Sequence, residues 1–346
     1  MRARWMELPR KVLVDGGVIN ELAEVCTSLR LKGRALIITG PNTRKVAGEY
    51  ISDLLAGFEP VVHATCSSSL EEVEDAESVA HEIGAGFIIG AGGGRSIDIA
   101  KLASVRADVP ILSVPTAASH DGICSAQVSL SINGETTSVP AQAPLAIVAD
   151  TNIISQAPAR LLSAGCGDII SNYTALLDWQ LAHRLKNEEY SEYAAALSDM
   201  TAKMIVKLAP TIRPGLEESA RTVVKALISS GVAMSIAGSS RPASGSEHKF
   251  AHAVNRIAPG KALHGELCGI GTVIAMYLHG GDWERIKRAL SFVGAPTSIS
   301  QIGIDSDTVI DAIVNAHKIR PERYTILDTG ITQKAAIRAA EATGII

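Results

Sequence analysis

The chain has 346 residues, of which 47% are hydrophobic, 20% are charged and 4% are aromatic. This composition is typical of a globular protein with a sizeable core, and the length suggests two domains. The formal net charge is −4 and no basic stripe is interleaved with aromatic residues, so we expect no nucleic-acid partner.

The cysteines and the apolar runs of the sequence indicate in which cellular compartment the protein is expected. The five cysteines include no C-x-x-C pair, so neither a disulfide framework nor a structural zinc ribbon is predicted. The first residues, MRARWMELPRK, are charged and lack an apolar run, so we expect no signal peptide. The longest uncharged apolar run, at 267–278, is too short to span a bilayer. We therefore expect a cytoplasmic protein that is not an integral membrane protein.

The sequence up to residue 152 predicts a doubly wound α/β domain. Short β-rich runs alternate with helical patterns, and we predict strands at 11–15, 35–39, 60–63, 87–89 and 110–114. This alternation is typical of a parallel sheet with helices on its faces. Residues 128–132 then alternate in polarity before Asn133-Gly134, a strong hairpin signal, and 146–148 form a further strand. We therefore predict an antiparallel insertion in this domain.

Residues 153–346 predict a second, all-helical domain. Helical patterns separated by short Pro and Gly breaks occur at 169–184, 189–208, 216–237, 248–257, 268–279, 283–293, 308–316 and 332–343. Gly165 and Gly167 are predicted to break the chain just before the first of these helices. Asp168 then lies near a helix start, where the helix dipole favours an acid for reasons unrelated to catalysis.

A glycine-rich loop, Gly90 to Asp98 (GAGGGRSID), follows a predicted strand and precedes a helix. Glycines allow close backbone approach and a helix N-terminus offers unpaired N–H groups, so the loop is a candidate phosphate-binding site. Arg95 occupies the last glycine position of the G-x-G-x-x-G fingerprint, and the G-K-[ST] ending of a P-loop is missing. The alternative is a glycine-rich turn with Ser96 as the N-cap of the helix.

Polar residues also follow the next strand of the predicted sheet. Thr116, Ser119, Asp121 and Ser125 lie beyond its carboxyl end, where ligands gather in α/β proteins. Taken singly they are ordinary loop residues, and a turn also explains Asp121 beside Gly122.

Three histidines lie close together in the sequence. His248 and His252 are four residues apart and share a helix face, and His264 follows the turn signal Pro259-Gly260. Two helices that meet near such a turn can direct imidazoles to one point. Imidazole nitrogen suits Zn, Fe, Ni or Cu better than Mg or Ca, and Asp168 is the best upstream candidate for a carboxylate ligand. Ordinary histidines on a helix pair are the alternative.

Five motifs together carry a resemblance. GAGGGRSIDIAK, SVPTAASHDG, GCGDIISN, SGSEHKFAHA and HGELCGIG are similar, in order and context, to motifs of one superfamily. It contains iron-type alcohol dehydrogenases, glycerol dehydrogenases and dehydroquinate synthases. Within it, over about residues 10–330, the chain resembles the archaeal-type sn-glycerol-1-phosphate dehydrogenases. The resemblance implies a dehydroquinate synthase-like fold: a dinucleotide-binding α/β domain at 1–152, a helical metal- and substrate-binding domain at 153–346, and an active site in the cleft between them.

The resemblance also implies site residues. Asp168, His248 and His264 would hold one catalytic Zn²⁺ per subunit, and Asp121, Asp168 and His252 would contact the substrate. In iron-type relatives the position like His252 is a fourth metal ligand. A larger set would bind NAD(H) or NADP(H): Gly94, Arg95, Ser96, Ile97, Asp98, Thr116, Ala117, Ala118, Ser119 and Ser125.

The implied reaction is the reversible, metal-assisted reduction of glycerone phosphate by NAD(P)H to sn-glycerol 1-phosphate, which supplies the glycerophosphate backbone of archaeal membrane lipids. A proton would reach the substrate oxygen through a water or hydroxyl relay that involves the catalytic residues His252 or Asp121. A substrate phosphate needs cationic or N–H donors, and Lys249, Arg256 and Lys261 are nearby in sequence. We expect a homo-oligomer whose size the sequence does not give.

The cofactor preference is predicted from the end of the second strand. Residues 39–43 (TGPNT) contain no acid that would bind a ribose 2′-hydroxyl and repel a 2′-phosphate, and Arg44 and Lys45 follow. We therefore expect dual use of NADH and NADPH, although a solvated first helical turn also explains the two basic residues.

Other functions stay open at this point. A glycerol or other polyol dehydrogenase of the same superfamily would need no cation for a phosphate. A dehydroquinate synthase-like lyase would recycle NAD without net consumption of NADH, but such enzymes use Glu at the position of Asp168. A helical binding or scaffold protein would leave the Asp and His cluster unexplained.

Overall fold

A computed structural model describes residues 6–132 and 135–346, and the predicted Asn133-Gly134 turn lies outside them. The described strands are β1 (Lys11–Asp15), β2 (Arg34–Thr39), β3 (Val61–Ala64), β4 (Ala85–Gly92), β5 (Ile111–Pro115), β6 (Gln127–Ile132), β7 (Glu135–Pro140) and β8 (Ala146–Asp150).

Helices follow or separate these strands and make up most of the chain after β8. They are α1 (Leu22–Ser28), α2 (Pro41–Thr43), α3 (Glu49–Leu54), α4 (Leu70–Ile83), α5 (Gly94–Arg106), α6 (Thr151–Ser155), α7 (Ala159–Lys186), α8 (Glu192–Leu208), α9 (Glu217–Ala237), α10 (Ser246–Ile257), α11 (His264–Leu278), α12 (Trp283–Phe292), α13 (Ser306–Asn315) and α14 (Gln333–Ala342). A π-helical turn, Arg44–Gly48, joins α2 to α3.

Six parallel strands form one sheet in the order β1-β8-β5-β4-β2-β3. Alternate residues of its central strands face two separate cores, with Ile37 and Ile89 in one and Ile38 and Ile88 in the other. A parallel sheet covered on both faces needs such continuous apolar strands, which is why they were visible in the sequence. The prediction of a doubly wound parallel sheet is confirmed, and β6 pairs antiparallel with β7 as the predicted insertion.

The strand order reverses between β2 and β4. β2 pairs with β3 on one side and with β4 on the other, and the chain then continues away from β2 through β5 to β8. Ligands of doubly wound sheets bind outside the carboxyl ends of the strands at such a switch point. The glycine-rich loop follows β4 and therefore starts at this position.

The chain forms two compact units. The first runs to Pro158 and also includes Pro214–Ser235, and the second comprises Ala159–Arg213 and Ile236–Ile346. Most of α9 therefore belongs to the first unit. Two side-chain contacts hold it there: Glu217 accepts a hydrogen bond from Thr151 at 2.8 Å, and Arg221 binds Asp15 at 2.6 Å. The division of roles between residues 1–152 and 153–346 stays a prediction.

By length and composition, α9 is the one helix among residues 6–132 and 135–346 that could cross a membrane. Core helices meet the same criteria, and 61% of its most apolar window is buried inside the structure. Its hydrogen bonds to Thr151 and Asp15 are those of a helix packed within the first unit.

In the second unit, α7 and α11 pack with their backbones in contact. A Cβ at Gly167 would lie 2.3 Å from the Gly265 carbonyl oxygen, and a Cβ at Gly265 would lie 1.9 Å from the Ala164 carbonyl oxygen. Glycine is therefore required at both positions for packing. The prediction that Gly165 and Gly167 break the chain is wrong, since α7 runs through them. Asp168 lies well inside α7, so its interpretation as an acid in a first helical turn is wrong too.

Replacing Gly265 by Ala should force α7 and α11 apart, because the new Cβ would meet backbone atoms rather than a mobile side chain. We expect the free energy of unfolding to fall by about 1–3 kcal/mol, the usual cost of overpacking, in urea titrations followed by circular dichroism. Gly269→Ala on the same helix is the matched control, since its Cβ would meet the flexible end of Leu290 at 3.0 Å. Equal stability of the two variants would contradict the packing argument.

Candidate active site

The first unit presents the glycine loop at the carboxyl ends of β4 and β5. Gly92 and Pro115 are register partners there, and Thr116 N donates to the Gly92 carbonyl oxygen at 2.9 Å. Gly93 is the N-cap of α5, so the alternative in which Ser96 caps the helix is wrong. A Cβ at Gly93 would meet nothing within 4 Å. The loop backbone therefore borders open space at a helix N-terminus, which favours an anionic ligand.

The end of β2 adds hydroxyl groups to the same edge. Thr43 Oγ1 accepts from Gly40 N at 2.8 Å, and a Cβ at Gly92 would lie 2.9 Å from Ser96 Oγ and 3.0 Å from Thr43 Oγ1. Gly92 is thus enclosed by two hydroxyl side chains. Arg44 is exposed and its Nε lies 3.3 Å from Glu49 Oε1, so a carboxylate already neutralises part of its charge.

The predicted cofactor-binding residues divide into two groups. The buried residues are Ser96, Ile97, Asp98, Thr116, Ala117, Ala118 and Ser125, while Gly94 and Ser119 are partly exposed and Arg95 is exposed. Arg95 Nη1 donates to the Cys66 carbonyl oxygen at 2.6 Å, which directs this side chain towards the loop after β3. The Asp98 carboxylate binds Lys101 at 2.9 Å and accepts from Ser129 N at 3.0 Å, so these two partners already occupy it.

Lys101 holds the loop that carries Asp121 and Ser125. Its fully buried Nζ donates to the carbonyl oxygens of Gly122, Ser125 and Gln127 at 2.8, 3.2 and 2.6 Å. Sequence reasoning missed this residue, although the Asp98-x-x-Lys101 spacing on a helix was a signal for an ion pair. Lys101 therefore couples the position of α5 to that of the loop.

Asp121 has a partner on α9. Ser230 Oγ donates to Asp121 Oδ2 at 2.9 Å, and Asp121 lies at the start of a short 3₁₀ turn, Asp121–Ile123. Ser230 was also missed, because more than a hundred residues separate the pair in sequence and neither side chain is unusual. The contact fixes the carboxylate with one oxygen towards α9.

The second unit brings Asp168, His248 and His264 together. Asp168 Oδ1 lies 4.0 Å from His248 Nε2 and 3.7 Å from His264 Nε2. Zn–ligand distances of about 2.0–2.2 Å in a tetrahedron put ligand atoms roughly 3.4 Å apart, so the spacing suits one shared cation. Asp168 is buried and the His264 side chain is 40% exposed, which leaves one side of the cluster open.

Local structure explains how the two histidines meet. α10 ends at Ile257, Gly260 adopts a φ of +72° in the turn, and α11 begins at His264. The turn was predicted from Pro259-Gly260 and is confirmed. His248 and His264 rings then lie with centroids 4.9 Å apart.

Glu247 orients His248. Its Oε1 accepts from His248 Nδ1 at 3.0 Å, and its Oε2 accepts from Thr174 Oγ1 at 2.6 Å. A carboxylate on Nδ1 keeps the proton on that nitrogen, which leaves the lone pair of Nε2 directed at Asp168. Sequence reasoning missed Glu247, which is completely buried beside a histidine.

Cys268 is a fourth donor at the cluster. Its Sγ lies 3.5 Å from His264 Nε2, and one donor atom each from Asp168, His248, His264 and Cys268 lies within 4.8 Å of the others. The spacing of four residues between His264 and Cys268 on one helix was the signal for it. A carboxylate, two imidazoles and a thiol are ligands typical of zinc.

His252 lies beside the cluster. Its ring centroid is 5.9 Å from that of His264. Among the described side chains, the cluster of four possible metal ligands does not include His252. Burial lowers the pKa of His252 to about 3, and the charges of His248, Arg320 and Arg323 act in the same direction. The imidazole is therefore neutral near pH 7 and can donate a hydrogen bond from one nitrogen.

Comparisons with known proteins identify the family. A family model described as iron-containing alcohol dehydrogenase matches residues 13–158. The glycerol-1-phosphate dehydrogenase (NAD(P)+) of Methanothrix thermoacetophila is 64% identical, covering 99% of this chain and 98% of that protein. The enzyme of the same name from Methanosarcina acetivorans is 58% identical, covering 99% and 97%.

Solved structures show the same fold. A probable glycerol dehydrogenase from Sinorhizobium meliloti 1021 superposes with a TM-score of 0.80 at 23% identity, covering 99% of this chain and 98% of that chain. Identity well above 30% along nearly the whole length of the two curated relatives decides the assignment. The chain therefore belongs to the glycerol-1-phosphate dehydrogenase family.

Proposed function

We propose that the chain catalyses the reversible, NAD(P)H-dependent reduction of glycerone phosphate to sn-glycerol 1-phosphate, the glycerophosphate unit of archaeal membrane lipids. The observation that carries this proposal is the full-length similarity to curated enzymes named glycerol-1-phosphate dehydrogenase (NAD(P)+). That name also supports use of both NAD and NADP, as the acid-free end of β2 predicts. Action in the cytoplasm and assembly into a homo-oligomer stay proposals.

Asp168, His248 and His264 are the residues that we propose hold a catalytic Zn²⁺. The buried carboxylate, the two converging Nε2 atoms and the support of Glu247 suit this role. Three protein ligands would leave one position open for the substrate oxygen. When bound, the metal ion polarises the substrate carbonyl and the reduced nicotinamide supplies the hydride.

His252 and Asp121 are the catalytic residues that we propose take part in delivering a proton to the substrate oxygen. Because His252 is neutral near pH 7, it cannot deliver a proton as imidazolium. We propose instead that one ring nitrogen gives its proton to the substrate oxygen while the other takes one from water. Asp121, held by Ser230, is the proposed substrate contact of the first unit, and Asp168 also lies against the substrate in this proposal.

The glycine loop and α5 are the proposed binding site for the cofactor pyrophosphate. The open space at Gly93, the N–H groups of the first turn of α5 and the hydroxyls of Thr43 and Ser96 support this. Gly94, Arg95, Ile97 and Asp98 complete the proposed lining, together with Thr116, Ala117, Ala118, Ser119 and Ser125 of the loop that Lys101 holds.

The reaction is tested by following NADH and NADPH oxidation with glycerone phosphate, with and without a chelator. We expect one cofactor oxidised per substrate with either nucleotide, loss of activity in chelator and recovery on adding Zn²⁺. Activity on unphosphorylated glycerone alone would favour a polyol dehydrogenase. Turnover without net oxidation of NADH would favour the lyase.

Loss of one metal ligand should empty the metal site. Asp168→Asn and His264→Ala should each lose most of the bound zinc and nearly all activity, because a site with three protein ligands cannot spare one. Zinc is measured per subunit by elemental analysis after dialysis. Cys268→Ser distinguishes three protein ligands from four, and with the three ligands proposed here it should keep its zinc. Equal zinc loss in Cys268→Ser would show that the thiol is a ligand, and full occupancy in Asp168→Asn would exclude this site.

Gly93→Ala should weaken cofactor binding without unfolding the protein. Its Cβ meets no protein atom within 4 Å, so any effect reports on the ligand that occupies the space. We expect the KM for NADH to rise more than tenfold, while Gly57→Ala, which also meets nothing within 4 Å, leaves it unchanged. A change within about threefold, roughly 0.65 kcal/mol, would contradict phosphate binding at this loop.

A further inference from the structure

Three cations near α10 in the sequence were candidates for binding the substrate phosphate, and the structure argues against Lys249. Lys249 is buried and its Nζ binds both carboxylate oxygens of Asp328 at 2.7 Å. Its charge is therefore already neutralised. Arg256 and Lys261 are exposed at and after the end of α10, which is not where a buried phosphate subsite would form.

Arg323 is a buried cation with a different environment. The residue is 8% exposed. Its Nη1 donates to the Ser244 carbonyl oxygen at 2.6 Å, and its Nη2 donates to Ser240 Oγ at 2.7 Å. Both acceptors are neutral, and no carboxylate of the described residues pairs with it. A buried charge without a counter-ion is costly, so the position suits an anionic ligand.

The charged residues around Arg323 do not supply a counter-ion for its guanidinium. Burial lowers the pKa of Arg323 to about 9, with Arg320 and Arg241 adding to the effect, which still leaves the guanidinium charged near pH 7. Arg241 is itself paired with Glu188. The other nearby acid, Glu247, is engaged by His248 and Thr174.

The position of Arg323 connects it to the candidate active site. Ser244, its acceptor, lies just before α10, the helix that carries His248 and His252. The 3₁₀ turn Ala316–Lys318, which leads to Arg320 and Arg323, packs against the same helix. All of these residues belong to the second unit.

We propose that Arg323, with Arg320 beside it, binds the phosphate group of the substrate on the His252 side of the Asp168–His248–His264 cluster. A guanidinium can bind a phosphate through two parallel hydrogen bonds, which a lysine cannot reproduce. This assignment rests on the proposed function and names the groups that distinguish a phosphorylated substrate from an unphosphorylated one.

The test compares kcat/KM for glycerone phosphate and for unphosphorylated glycerone, with NADH as cofactor so that no 2′-phosphate competes. In Arg323→Gln the ratio of the two values should fall by roughly tenfold to a hundredfold, the effect of losing a charged hydrogen bond. Arg323→Lys should fall less because it keeps the charge. Lys318→Gln removes one charge from an exposed position close in sequence, where Lys318 Nζ donates to Asn315 Oδ1 at 2.8 Å, and should keep the ratio.

Inorganic phosphate provides a second measurement at constant ionic strength. Its inhibition constant against glycerone phosphate should rise in Arg323→Gln by a factor similar to the fall in the ratio. If Arg323→Gln does not fold, Arg320→Gln at a more exposed position gives the same two measurements.

The outcomes separate the two proposals. An unchanged ratio with unchanged phosphate inhibition, or equal losses with both substrates, overturns the role of Arg323. A wild-type enzyme that does not oxidise NADH with glycerone phosphate contradicts the proposed function instead. A selective loss with glycerone phosphate, matched by weaker phosphate inhibition, supports the assignment.

Discussion

The candidate metal site depends on the contact between the backbones of α7 and α11. Gly167 and Gly265 allow this approach, and Asp168 and His264 are their immediate neighbours in sequence. Donor distances in metal sites vary by only about 0.2 Å, so a small separation of the two helices would part the carboxylate from the imidazole. The same two glycines therefore determine both the packing of the second unit and its chemistry.

The buried cations among the described residues are paired with carboxylates, with one exception. Lys101 is neutralised by Asp98, and Lys249 by Asp328. The buried Asp178 carboxylate accepts hydrogen bonds from Ser246 N, His279 Nε2 and Ile326 N, and so ties α7, α10 and α11 together. Arg323 is the exception, since its guanidinium donates to the neutral oxygens of Ser244 and Ser240, and this contrast is the reason for proposing it as a ligand-binding group.

Local signals in the sequence were sufficient for the sheet and for part of the site. Apolar runs bounded by turns marked the strands, and the turn between His248 and His264 marked the convergence of two helices. The position of Asp168 inside α7 was not predictable, because a glycine breaks or joins helices depending on whether another backbone lies against it. Glu247 and Ser230 are ordinary residues in the sequence and become partners of His248 and Asp121 only in the folded chain.

Helix α9 has a consequence for the order in which the protein can fold during translation. The first unit includes residues up to Ser235, although α7 and α8, which precede α9, belong to the second. A ribosome that has released residues 1–158 has not yet supplied Ser230 for Asp121 or Arg221 for Asp15. The nascent chain therefore cannot complete one unit before starting the other, and a gene divided between its two halves would separate Asp121 from its hydrogen-bond donor.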